Sequence, residues 1–203
     1  MRVKVCGFTR SEDIRAALEA GVDAVGLNLA RGPRRIPLDQ AAMLAALVPP
    51  MVQTVALFVD ADETTILAAL AATRCSVVQL HGDEPPELAE RLRRRVPVIK
   101  AFRIANREDL NRVADYPADA VLLDAAVAGA HGGTGRAWDH GLLAGIEMRC
   151  PLILAGGLDP DNVAAAIAAT RPWAVDTASG VESAPGIKDA VRMRAFVIAA
   201  RGR

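Results

Sequence analysis

Net charge is what this sequence most clearly lacks: 24 lysines and arginines balance 24 aspartates and glutamates. That balance excludes a bulk attraction for nucleic acid or an anionic membrane surface. The densest basic run, Arg93-Arg94-Arg95, falls at the end of an expected helix, where cations complement the dipole, so it reads as a solvated helix end. Cysteine is scarce too. Cys6, Cys75 and Cys150 are odd in number, far apart and without metal-type spacing, which argues against a disulfide framework and against a zinc site. No apolar run approaches the ~20 residues of a membrane span, and the N-terminus is charged too early for a signal peptide. A cytoplasmic location with no membrane or nucleic-acid partner is therefore expected. The first turn also lacks the Gly-x-Gly-x-x-Gly fingerprint of dinucleotide binding.

What is present is hydrophobic residue, at 52% of 203 positions, distributed in a regular alternation. Strands are predicted near 2–6, 24–29, 52–59, 76–80, 98–102, 120–123, 152–155 and 174–176. Helices are predicted near 11–20, 39–47, 63–73, 85–94, 107–114, 139–147, 160–169 and 187–200. Short, nearly all-apolar strands separated by amphipathic helices imply parallel pairing under a helical cover. Eight such units fill residues 1–203 with nothing left for a second domain, so the expected fold is a single-domain α/β chain, a (β/α)₈ TIM barrel. An open doubly wound sheet is the alternative. Against it, polar residues recur at the strand ends: Cys6, Asp60, His81, Arg103, Asp124 and Ser179.

Strand C-termini are where a barrel collects its chemistry. Cys6 ends the first strand at a strand-to-helix junction, and Asp124 ends the sixth, so the two are expected to face each other across the mouth. A thiolate base and a protonated carboxyl acid suit proton transfer at a sugar carbon. Asp124 has to keep its proton to serve, which burial would favour; Cys6 has to lose its own, which nearby positive charge would favour. Lys4 shares the strand face of Cys6 and is expected to fill the barrel interior. At the ends of the last two strands lie Gly156-Gly157 and Ser179-Gly180, whose backbone N–H groups are expected to hold a phosphate. After the second strand, Arg31-Gly32-Pro33-Arg34-Arg35 offers a guanidinium to a carboxylate. The loop 128–136, rich in glycine and following Asp124, is expected to act as a lid.

These pieces together resemble the phosphoribosylanthranilate isomerase family over essentially the whole chain. The matching motifs, in order, are Lys4-Val5-Cys6-Gly7-Phe8-Thr9, Gln79-Leu80-His81-Gly82-Asp83-Glu84, Leu122-Leu123-Asp124 and Gly132-Gly133-Thr134-Gly135. Then come Leu154-Ala155-Gly156-Gly157-Leu158 with Asn162-Val163, and Ser179-Gly180-Val181-Glu182 with Pro185-Gly186-Ile187-Lys188-Asp189.

The resemblance implies an Amadori rearrangement of N-(5-phosphoribosyl)anthranilate, a phosphorylated aminosugar, with Asp124 as acid, Cys6 as base and neither cofactor nor metal. It implies phosphate contacts at Gly156, Gly157, Ser179 and Gly180, and an active-site wall including His81 and Asp176, with Gly133 among the substrate contacts. It also implies one arginine on the anthranilate carboxylate. Counting forward from Gly26 selects Arg35 and counting back from Ile36 selects Arg34; Arg35 is taken first. Ala178 stands where the family usually has a second serine. Two other readings remain open at this point: the related histidine-pathway isomerase, disfavoured by a cysteine where that family uses aspartate, and a barrel that binds a phosphometabolite without catalysis. The chain alone leaves monomer and homodimer equally open.

Overall fold

Eight strands pair in sequence order and close on themselves, every neighbour parallel. They are β1 (Arg2–Cys6), β2 (Ala24–Asn28), β3 (Gln53–Phe58), β4 (Val77–Leu80), β5 (Val98–Arg103), β6 (Ala120–Asp124), β7 (Leu152–Ala155) and β8 (Ala174–Thr177). The computed structural model describes residues 1–104, 110, 113, 115–124 and 149–202. The expected TIM barrel is therefore what the chain forms. Among the described residues the helices are α1 (Ser11–Ala20), α2 (Leu38–Ala45), α3 (Glu63–Thr73), α4 (Pro86–Leu92), α5 (Val163–Thr170) and α6 (Ala190–Arg201). The helices expected near 107–114 and 139–147 fall wholly or largely outside the described residues, as do the loop 128–136 and Gly133.

Alternation along each strand divides two cores. Val55, Val77, Ile99, Leu122, Ile153 and Ala174 belong to one cluster that fills the barrel. Their sequence neighbours, such as Val78, Val98, Leu154 and Val175, face outward into the layer shared with Ile14, Ile66, Leu92 and Phe196 from the helices. In α3, Ile66, Ala69 and Thr73 make the buried face, and the small alanine there lets the helix lie close to the sheet.

The first helix starts where expected, at Ser11, with Arg10 extended before it and its guanidinium on Asp13 at 2.6 Å. Later helix starts differ from expectation where other groups claim the backbone first. Before α5, Asp159 Oδ1 accepts the N–H groups of Asp161 and Asn162, an Asx-type turn that delays the helix to Val163. Before α6, a short antiparallel ribbon of β9 (Glu182–Ala184) and β10 (Ile187–Lys188) takes up residues expected to be helical, and Asp189 then caps the helix. That ribbon turns out to matter for the site.

Candidate active site

Stepping two residues up a strand keeps the same inward face. From the filled interior that step leads from Lys4 to Cys6, from Leu122 to Asp124, from Gln79 to His81 and from Ala174 to Asp176. All four destinations line one cavity of about 910 Å³ at the C-terminal mouth, together with Arg34 and Gly156. The strand-end residues Asp60, Arg103 and Ser179 line it too.

The thiol of Cys6 sits in a closely fitted place. Register pairs Cys6 with Gly26 on β2, and a Cβ on Gly26 would lie 2.6 Å from Cys6 Sγ, so only glycine leaves room for the sulfur. The Gly26 carbonyl accepts from the N–H groups of Gly7 and Phe8 at 2.9 and 3.1 Å, which fixes the turn that presents the cysteine. Below it, Lys4 Nζ donates to Asp176 Oδ1 at 2.9 Å inside the barrel, as expected of a lysine that fills the interior. Burial pushes the Cys6 thiol above its ordinary range, while Lys4 and Lys188 pull it back toward thiolate and Asp176 opposes them. The cations that a base requires are therefore present, but they do not outweigh desolvation. For Lys4, burial works against its charge, and Asp176 and Cys6 more than restore it.

Across the mouth, Asp124 lies 3.7 Å from His81 Nε2, beyond hydrogen-bond length, with its side chain 32% exposed. Burial by the described residues thus falls short of the enclosed carboxyl anticipated for an acid. On the other side of the imidazole, Nδ1 lies 3.0 Å from the side-chain nitrogen of the fully buried Gln79. That contact fixes the ring so that Nε2 faces Asp124.

The two candidate arginines part company in the structure. Arg34 lines the cavity, whereas Arg35 is exposed and absent from its lining. The reason is a parallel bridge between Asn28 and Arg35, followed by the Ile36 N–H donating to the Asn28 carbonyl, which carries Ile36 into the core and leaves Arg35 outside. The stem of Arg34 lies across Gly7, whose positive φ and missing side chain both serve the contact; a Cβ there would collide with Arg34 Cδ. The guanidinium forks onto Glu182, Nε to Oε1 at 2.8 Å and Nη2 to Oε2 at 2.6 Å. Glu182 Oε1 also accepts from Lys188 Nζ at 2.7 Å, and Lys188 reaches on to the carbonyls of Cys6 and Ala178. Burial alone would raise the Glu182 carboxyl, but the hydrogen bonds and charges of Arg34 and Lys188 hold it below the usual range. Lys188 itself is pushed down by burial against the pull of Glu182.

At the opposite rim, Gly156 and Gly157 follow β7 with φ of 91° and 63°, a conformation that L side chains rarely adopt. Asn162 braces this loop by donating to the Gly157 carbonyl at 2.9 Å. Thr177 Oγ1 donates to the Leu158 carbonyl at 2.6 Å, which ties the loop after β7 to the end of β8. Gly156, Gly157 and Ser179 line the cavity. Gly180 stands behind them, packed so closely on the Leu158 carbonyl that a Cβ would collide with it.

Sequence reasoning did not give roles to Gln79, Glu182 or Lys188. All three stood inside recognised motifs, but nothing local distinguishes a buried Glu182 from a surface one. Its partner Arg34 is 148 positions away.

The family model described as N-(5'phosphoribosyl)anthranilate (PRA) isomerase matches residues 3–199. An N-(5'-phosphoribosyl)anthranilate isomerase of Geobacter sulfurreducens is 46% identical over 203 residues, covering 100% of this chain and 99% of that one. A crystal structure of phosphoribosyl anthranilate isomerase with reduced 1-(o-carboxyphenylamino)-1-deoxyribulose 5-phosphate is similar over 100% of both chains, with a TM-score of 0.91 and 36% identity. Mutually generated monomers of the dimeric phosphoribosylanthranilate isomerase from Thermotoga maritima are similar over 100% of both chains, with a TM-score of 0.90 and 35% identity.

Proposed function

The chain belongs to the phosphoribosylanthranilate isomerase family, and from that premise we propose which of its side chains carry the rearrangement. Asp124, as a carboxylic acid, protonates the ribose ring oxygen of N-(5-phosphoribosyl)anthranilate. The C1–O bond breaks, and the nitrogen lone pair forms a C1=N iminium. Cys6, as thiolate, then removes the C2 proton; that electron pair forms C1=C2 while the iminium π electrons return to nitrogen. The resulting enolamine loses its O–H proton and gains one at C1, giving the 1-deoxyribulose product. C1 is reduced and C2 oxidised within one molecule. The substrate's own nitrogen is the electron sink.

The observation that carries this reading is the common cavity: Cys6 from β1 and Asp124 from β6 line it from strands three places apart around the barrel, above the interior Lys4–Asp176 pair. The paired glycines at 156 and 157 and the turn at Ser179 and Gly180 supply backbone donors for the phosphate. Arg34 meets the anthranilate carboxylate, and His81 and Asp176 form the wall between the two ends. Asp124 gains its enclosure from the bound substrate, which covers the exposed third of its side chain.

Turnover in D₂O tests the sequence of steps. The wild-type product is expected to carry one deuterium at C1, and Cys6→Ser to slow its formation at least ~10²-fold. Undiminished turnover by a folded Cys6→Ser protein would remove the thiolate from the scheme.

A further inference from the structure

Arg34 stands in a largely exposed segment whose backbone is pinned to Asn28 but which offers its side chain few neighbours of its own. Residues 31, 32, 33 and 35 are exposed, and only Arg34 and Ile36 turn inward. A long side chain on such a segment would sample many rotamers and would lose that freedom on binding. Yet its guanidinium is tied twice to Glu182, at 2.8 and 2.6 Å, and the Glu182 side chain is only 4% exposed. Glu182 is in turn fixed by Lys188 Nζ at 2.7 Å and by the Gly186 N–H at 3.2 Å. Both come from the ribbon that displaced the start of α6.

The atoms used decide what remains. Nε and Nη2 form the side-on edge of the guanidinium, and Glu182 occupies it. Among the described residues the end-on edge, Nη1 with the outer hydrogen of Nη2, has no partner. We propose that Glu182 is the positioning residue for substrate recognition: it occupies the side-on edge of Arg34 and aims the end-on edge into the cavity, where it takes the aromatic carboxylate as a bidentate pair. Glu182 touches no substrate and acts only through Arg34. The inference rests on Arg34 being the carboxylate contact. A carboxylate at the end-on edge places two acceptors around one planar cation, an arrangement that guanidinium geometry permits and an ammonium does not.

Two ligands separate this role from a merely structural one: reduced 1-(o-carboxyphenylamino)-1-deoxyribulose 5-phosphate, and the same molecule without its ring carboxylate. Wild-type protein is expected to prefer the first by at least ~10-fold, the lower end of what a charge-assisted contact supplies. Glu182→Gln is expected to lose at least ~10-fold for the carboxylated ligand and less than about 3-fold for the other. Equal weakening of both ligands would make Glu182 structural and overturn the proposal, as would undiminished preference in Glu182→Gln. Arg34→Lys keeps a charge but not the planar fork. If wild type does not discriminate, or Arg34→Lys discriminates as well as wild type, the carboxylate reading of Arg34 fails, and the proposal fails with it. Should Glu182→Gln not fold, Glu182→Asp, one methylene shorter, replaces it with the same expected split; retained preference there overturns the proposal.

Discussion

Replacing Gly26 by alanine puts one methyl group against the Cys6 thiol without replacing any titratable side chain. An added Cβ would stand 2.6 Å from Cys6 Sγ, 3.0 Å from its Cα and 3.1 Å from its Cβ. Ordinary contact begins near 3.4 Å, so the sulfur has to retreat by roughly 0.8 Å. Rotation about χ1 relieves only the first of these contacts. The other two require β1 and β2 to part by tenths of an ångström, against the hydrogen bonds that the Gly26 carbonyl accepts from Gly7 and Phe8. Overpacking of this kind costs about 1–3 kcal/mol, which for a chain of this length lowers Tm by roughly 2–12 °C. Displacement of a reacting group by about 1 Å costs on the order of 10² in rate. Thermal denaturation followed by circular dichroism, and kcat measured well below the transition, read the two effects separately. A folded Gly26→Ala protein with kcat within about twofold of wild type would refute the claim that the thiol at this place is the base.

Four further outcomes are expected. Because the scheme needs Cys6 ionised while Asp124 keeps its proton, the two requirements offset each other as pH changes, and burial holds the Cys6 thiol above its usual range; kcat/KM should therefore stay level through neutrality and fall only above the ordinary thiol value of ~8.5, and a decline already under way between pH 7 and 8 would contradict it. Lys4→Met removes the partner of a buried Asp176, and denaturant unfolding at neutral pH should show a loss of about 3–5 kcal/mol. Arg34→Ala should raise KM at least ~10-fold while Arg35→Ala changes it little, which steady-state kinetics on the two variants decides. The lowered Glu182 carboxyl contributes stability that is complete above the unfolded value of ~4.3 and fades as pH falls through its lower folded value; Glu182→Gln should therefore flatten the acid side of a Tm-against-pH curve.

Strand order, barrel closure and the placement of Cys6, His81 and Asp124 on one mouth were legible because they depend on a period of two and on where each strand stops. Both are local. Asp176, by contrast, entered only through the family resemblance. Arg34 and Arg35 are adjacent, and choosing between them requires the bridge from Asn28 to Arg35, a pairing that spacing counted from either end does not reveal. The helix after β8 was expected three residues early, because Ile187 and Lys188 pair with β9 before the chain can turn helical. Glu182 and Lys188 stayed without roles for a related reason. Glu182 pairs with Arg34 and Lys188 donates to the Cys6 carbonyl, partners that only barrel closure brings to them. The fit of Gly26 against Cys6 likewise depends on register across two strands. Glycine in a strand signals close approach but not what approaches.

The most direct measurement follows the fluorescence of N-(5-phosphoribosyl)anthranilate, generated in place, with wild type, Cys6→Ala and Asp124→Asn side by side, each also titrated with the reduced product analogue. Rapid decay in wild type, a fall of at least ~10²-fold in both variants and unchanged analogue binding are expected if these two side chains move the protons. Undiminished turnover in either variant, with the analogue still bound, would contradict the assignment of acid and base.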